Sequence, residues 1–263
     1  MLFEDDAALV LDKPAGIAVM GERHDTDLVQ LAAEHGETLF PAHRIDKVTS
    51  GAILFARRLR YHGDLTRQFN RRTVDKAYLA VTRSVGLPEW GTIELPLSVG
   101  RKNRVRVAAE RAAIVGDGHR WFVPAGEVFT SGPSYPSVTA FATVWTGDAH
   151  TLLVVRPITG RRHQIRVHLA WIGHELAGDP LFHGQGPRTL LHSWRLAFDA
   201  AWLAGTRLTP TAPPGDDFWS PIPDLPTPES VLPQADQRLT WLRERTAGLH
   251  APTADNGSSP SEE

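Results

Sequence analysis

Between Pro41 and Arg58 the chain reads PAHRIDKVTSGAILFARR. His43, Arg44 and Asp46 lie on a stretch that ends in the turn-forming triplet Thr49-Ser50-Gly51 and runs into an apolar segment, Ala52 to Ala56. Turn residues followed by a short β-rich run predict a loop feeding a buried strand. A carboxylate on such a loop, backed by a rigid strand, stands where catalytic groups concentrate. Asp46 would then act as a nucleophile or a base among basic neighbours. The same residue types also fit a plainer role, in which Asp46 closes the turn through its carboxylate. Spacing alone leaves both readings open.

Two further stretches carry chemistry. Lys76-Ala77-Tyr78-Leu79-Ala80-Val81 alternates as a strand does. On residue type alone, Tyr78 is a strand aromatic with its ring in the core and its hydroxyl at the edge. Farther on, Thr159-Gly160-Arg161-Arg162-His163-Gln164-Ile165-Arg166 leads into a helix, because Ile165, Leu169 and Ile172 recur at i, i+4 and i+7. That spacing predicts one face in the core, with Gly173 ending the helix. Arg166 sits at the helix start, where it could reach the end of the preceding strand, and where free backbone N–H groups favour an anion. A solvated Arg on the polar face is the alternative.

The elements that must position these residues follow from pattern. Leu9 to Leu11, Asp12-Lys13-Pro14-Ala15-Gly16 and Ile17 to Val19 predict strand, turn, strand. Leu28 to Glu34 and Arg60 to Asn70 predict short helices, the second presenting Arg67, Arg71 and Arg72 on or just past its polar side. Val138 to Trp145 and Leu152 to Val155 predict strands joined by a hairpin at Gly147-Asp148. Residues 110–136 are rich in Gly and Pro and predict a peripheral insertion able to touch a partner. From Thr209 the composition turns Pro-rich and acidic, with a helix predicted at Ala235 to Thr246 and a disordered tail over 251–263.

These motifs, in this order, resemble the RluA family of RNA pseudouridine synthases. His43-Arg44-Ile45-Asp46, two residues, Thr49-Ser50-Gly51 is similar to that family's His-Arg-Leu-Asp-x-x-Thr-Ser-Gly. Lys76-x-Tyr78-x-Ala80, Thr159-Gly160-Arg161-x-His163-Gln164-Ile165-Arg166, Gly173 to Phe182 and Leu191 to Phe198 resemble its later segments. Asp12, Val48, Glu175 and the long 110–136 stretch depart from the pattern, which bears on substrate more than on reaction. The resemblance implies an α+β fold, with a mixed, largely antiparallel central sheet flanked by helices. It implies a catalytic domain over 1–210, a C-terminal extension over 211–250, and no N-terminal S4-type module. It implies isomerisation of uridine to pseudouridine in ribosomal or transfer RNA, with Asp46, Tyr78 and Arg166 catalytic. Arg44, His43, Lys76, Arg71, Arg72, Arg161, Arg162, His163 and Gln164 are the RNA-binding candidates. Tyr78 would stack on the uracil and could help remove the ring proton, Arg44 would hold phosphate or fill the space left by the base, and His43 would brace the loop. The reaction is redox-neutral and imports no group, so neither cofactor nor metal is expected.

Bulk properties are compatible with this. Net charge is −2, yet residues 211–263 hold nine acidic and three basic residues, which leaves 25 basic against 21 acidic in residues 1–210. Only four of the 28 basic residues are Lys, and Arg is the better bidentate phosphate ligand. A genomic bias toward Arg would produce the same count, so the balance permits an RNA partner without requiring one. The absence of Cys excludes disulfides and thiolate metal sites and fits a cytoplasmic protein. No long apolar segment opens the chain, so neither a membrane span nor a signal peptide is expected, and a monomer is the expected state. Two competing classes remain. A glycosidase acting on RNA or nucleosides would want a second carboxylate, which these motifs do not supply. A non-catalytic RNA-binding or assembly protein could share the fold, but it would not need Asp46, Tyr78 and Arg166 together.

Overall fold

A computed structural model of the chain describes residues 1–21, 25–100 and 103–249. The strands in chain order are β1 (Phe3–Glu4), β2 (Ala8–Lys13), β3 (Phe40–Pro41), β4 (Ser50–Ala56), β5 (Asp75–Thr82), β6 (Trp90–Glu94), β7 (Leu97–Val99), β8 (Val105–Val107), β9 (Val115–Gly116), β10 (Arg120–Phe122), β11 (Thr139–Thr146), β12 (Thr151–Pro157), β13 (Leu191–Ala200) and β14 (Thr206–Leu208). The helices are α1 (Leu28–Glu34), α2 (Leu59–Arg71), α3 (Gln164–Trp171), α4 (Asp216–Trp219) and α5 (Pro228–Arg245).

Twelve strands form one sheet in the order β1-β2-β4-β13-β5-β12-β11-β6-β10-β9, with β14 beside β13 and β3 beside β4. The β4–β13 and β6–β10 pairs are parallel and the other pairs antiparallel. The architecture is α+β with a mixed, largely antiparallel sheet, as expected. Gly51 lets β4 approach β13. Its φ is +104°, and a Cβ there would lie 2.2 Å from the Ser193 carbonyl oxygen, so no larger residue fits between these strands.

Period-two alternation splits the core into two faces. Along β5, Ala77, Leu79 and Val81 pack with Val231, Ala235, Leu239 and Leu242 of α5. Tyr78 and Ala80 point the other way, into the cluster that holds Ile165 and Leu169 of α3. The strand that carries Tyr78 is thus braced from behind by the C-terminal helix. Each fully buried Val or Leu of that helix contributes about 1.5–3 kcal/mol.

Four expectations need correction. Ile17 to Val19 is not a strand, since Ala18 makes only an isolated bridge to Asp27. Residues Gln164 to Ala170 of α3 are all buried, because the helix is covered by β8 as well as by the sheet, so it has no single core face. Helix α5 begins at Pro228 and carries Pro233 inside it, whereas the composition had pushed its start to Ala235. Residues 211–249 also supply Phe218, Trp219 and α5 to the same core cluster as β5 and β11, so they are more than an extension. The predicted tail, 251–263, lies outside the described residues. Within 110–136, β9 and β10 extend the sheet at its edge, beyond β6.

Candidate active site

The Asp46 loop is closed by backbone, which answers the question its sequence left open. The Thr49 N–H donates to the Asp46 carbonyl at 3.0 Å, so the turn does not need the carboxylate. That carboxylate instead accepts a hydrogen bond from Arg166 Nη1 on Oδ2 at 3.2 Å, and His163 Nε2 lies 3.7 Å from Oδ1. From below, the buried Lys13 ammonium donates to the carbonyls of Pro14, Ile17 and Lys47 at 2.8, 2.7 and 3.3 Å. Lys13 thereby ties the first turn of the chain to the residue after Asp46. Burial, and then the neighbouring Arg188, push its pKa down to about 7, with Asp46 opposing.

Arg166 is itself held. It donates from Nε to Asp179 at 2.8 Å and from Nη2 to Asp179 at 2.6 Å, leaving Nη1 for Asp46. Arg166 is 4% exposed and Asp179 is fully buried. Asp179 also accepts from the Leu181 N–H at 2.9 Å. Burial works against the Arg166 charge, and Asp179 and Asp46 more than offset it, so its pKa is raised. A paired, bidentate guanidinium of this kind has one orientation. Asp179 lies in a matched motif segment, but sequence reasoning gave it no role. Its spacing from Arg166 carries no helical or strand signal, and only the fold brings the two together.

Asp46 and Arg166 form the floor of an open cleft of about 340 Å³, at the small end of ligand-pocket volumes of roughly 300–1,000 Å³, while Lys13 and Asp179 support them from outside its lining. Tyr78, Arg44, Arg72, Lys76, Arg161 and His163 line it too. Burial pushes the Tyr78 phenol up to about 12, with Ser193 opposing and Asp46 adding. Burial also brings Lys76 down to about 8, against the opposing pull of Asp75. His163 is held below its ordinary value by burial, with Asp46 opposing and Arg166 and Arg162 adding to the depression.

Of the RNA-binding candidates, Gln164 and His43 line the cleft with their polar groups engaged internally, and Arg162 and Arg71 lie outside its lining. Gln164 is buried with its amide spent internally, accepting from Thr159 Oγ1 and Arg161 N and donating to the Val138 carbonyl and Thr139 Oγ1. It shapes the turn that presents Arg161 and has nothing left for RNA. His43 stacks on Phe69 at 4.3 Å and accepts from the Leu54 N–H at 3.1 Å, and burial takes its pKa down to about 3. It braces the loop as a neutral ring, although it lines the cleft. Arg162 turns to the carbonyl and side chain of Asn103. Arg71 is exposed and outside the cleft lining, because α2 ends there and only Arg72, in the left-handed conformation with φ 60°, turns inward.

The model of the RNA pseudouridylate synthase family matches residues 7–171. The chain belongs to that family. Among the family's RluA-type members, the chain is 33% identical over 217 residues to the ribosomal large subunit pseudouridine synthase D of Nitrosomonas europaea, covering 74% of this chain and 56% of that protein. It is 30% identical to the tRNA pseudouridine(31) synthase of Saccharomyces cerevisiae, over 69% of this chain and 46% of that one. It is 30% identical to the dual-specificity RNA pseudouridine synthase RluA of Escherichia coli, over 73% and 83%. The chain spans about half the length of the first two relatives. Among solved structures, the human RNA pseudouridylate synthase domain containing 4 and domain containing 1 proteins share the fold. Their TM-scores are 0.66 and 0.65, each at 22% identity. The first match covers 83% of this chain and 89% of its own, the second 95% of both. Within this family of synthases, the matched residues take in the Asp46 loop, β5 and α3.

Proposed function

We propose that the chain converts uridine to pseudouridine within structured RNA, with Asp46 as the reacting carboxylate. One observation carries the proposal: Asp46 stands at the floor of a cation-lined cleft, held by a guanidinium that a second buried carboxylate keeps in place. The reaction breaks the bond from uracil N1 to the sugar C1′, turns the base, and joins C5 to C1′. A proton leaves C5 and N1 gains one, so atoms and charge balance without a cofactor. Asp46 attacks the sugar, attacks the ring or takes a ribose proton, and in each case the chemistry needs a fixed anion close to the sugar–base linkage. Arg166 fixes that anion. The Tyr78 ring supplies a stacking face at about 1–3 kcal/mol per base, comparable with the few kcal/mol needed to unstack the target. With its phenol near 12, Tyr78 is protonated at neutral pH, which favours the stacking role over that of a base.

Arg44, Arg72 and Lys76 ring the opening and fit the phosphates around an extruded nucleotide. Among the described residues no helix is long and apolar enough to cross a membrane. We place the activity in the cytoplasm, on ribosomal or transfer RNA, the two classes named for the relatives. The catalytic unit is 1–210, with 211–249 as its brace. A glycosidase would need a second free carboxylate, and the acid nearest this chemistry, Asp179, is already committed to Arg166. The test is to map pseudouridines in RNA from cells with and without the gene. Sites lost on deletion and restored by the wild-type chain support the proposal, whereas unchanged maps together with release of free uracil would replace it by hydrolysis.

A further inference from the structure

We propose that Arg161 and Tyr135 form a second subsite, on which a base adjoining the target uridine stacks; this rests on the reading of the cleft as an RNA site. Arg161 belongs to two structures at once. It lines the cleft, and its guanidinium lies 5.2 Å over the ring of Tyr135, which is 40% exposed. The nucleotides joined to one seated in the cleft must leave across its rim, where Arg161 stands. A guanidinium plane backed by an aromatic ring offers both a flat surface and a positive charge, the combination that holds unpaired bases with little regard to sequence.

The platform is built in advance. Tyr135 exchanges both backbone hydrogen bonds with Leu97, at 2.8 and 2.9 Å. Three residues on, Val138 accepts from Ile158 at 3.0 Å and donates to Thr159 Oγ1 at 2.9 Å, so Tyr135 is registered against the turn that carries Arg161. Gln164 holds the Arg161 backbone from the other side at 3.0 Å. Asn103 meets Arg162 in the same turn, and Arg111 Nη2 donates to the Ala170 carbonyl of α3 at 3.1 Å. Arg106 lies 5.3 Å over the Phe129 ring, repeating the same pairing beyond Tyr135.

The experiment measures pseudouridine formation by the purified full chain on bulk ribosomal and transfer RNA extracted from cells lacking the gene, together with binding of that RNA at several salt concentrations. Tyr135→Ala is expected to raise KM about five- to tenfold with kcat within about twofold, and Tyr135→Phe to behave as wild type, all three proteins melting alike. Arg161→Lys, which keeps the charge and loses the plane, is expected to raise KM as Tyr135→Ala does while leaving the salt dependence of binding unchanged. Wild-type KM in Tyr135→Ala, or a loss confined to kcat, overturns the subsite. Full affinity in Arg161→Lys also overturns it, since Arg161 would then be a charge against phosphate. If the wild-type chain forms no pseudouridine on this RNA, the reading of the cleft itself fails and the subsite falls with it.

Discussion

The floor of the cleft and its rim are both cationic, but they are built in opposite ways. On the floor, Arg166 is committed to Asp179 and Asp46, and Lys13, outside the lining, is committed to three carbonyls. On the rim, Arg44, Arg72 and Arg161 are exposed side chains whose charge faces water. Removing one partner of a buried charge pair leaves the other uncompensated and costs about 3–5 kcal/mol, whereas exposed pairs contribute about 0–1 kcal/mol. The floor should therefore govern the rate and the fold, and the rim only the grip on substrate.

Arg166→Lys attacks the floor hardest, because one ammonium cannot reproduce a bidentate bond to Asp179 and a third bond to Asp46. It is expected to lower kcat about a hundredfold while changing RNA affinity less than threefold. Equal losses in both would move Arg166 to the phosphate-holding group. Asp179→Asn sets an amide N–H₂ against the guanidinium and is expected to destabilise the fold by about 3 kcal/mol in denaturant titration and to lower kcat at least tenfold. A variant with wild-type kcat would show that Arg166 needs no second carboxylate to be aimed.

The rim should respond more gently. Lys76, brought down to about 8 by burial, is charged below that pH and neutral above it in the free chain. RNA affinity is therefore expected to fall several-fold as pH rises from 7 to 9. Lys76→Arg, which stays charged throughout, should flatten that slope, and a slope unchanged in the variant would remove Lys76 from the RNA contacts. Arg44→Ala should raise KM about threefold at constant kcat, with a shallower salt dependence of binding. A kcat effect larger than the KM effect would place Arg44 on the floor instead.

The same contrast explains what the sequence disclosed. Asp46, Tyr78 and Arg166 stand out as candidates because motif order sets residue type at their positions. Asp179 and Lys13 sat inside recognised segments without a role, since their significance lies in distances across the fold that no spacing encodes. Gln164 shares a motif with Arg161, and the resemblance makes both RNA-binding candidates, yet one is buried and the other exposed. Position within a motif does not tell the side chain that builds a turn from the one the turn presents. Helix α5 starts ahead of the expected Ala235 and runs through Pro233, because Val231, Leu239 and Leu242 buried against the sheet outweigh the hydrogen bond that Pro removes.

The most direct test of the account is a single-turnover assay of Asp46→Asn on RNA that the wild-type chain modifies, with binding measured in parallel. Asn keeps the size of the side chain and its place beside Arg166 but removes the charge. The account predicts RNA binding within about threefold of wild type and no detectable pseudouridine. Formation of pseudouridine by Asp46→Asn at a rate near wild type would contradict it.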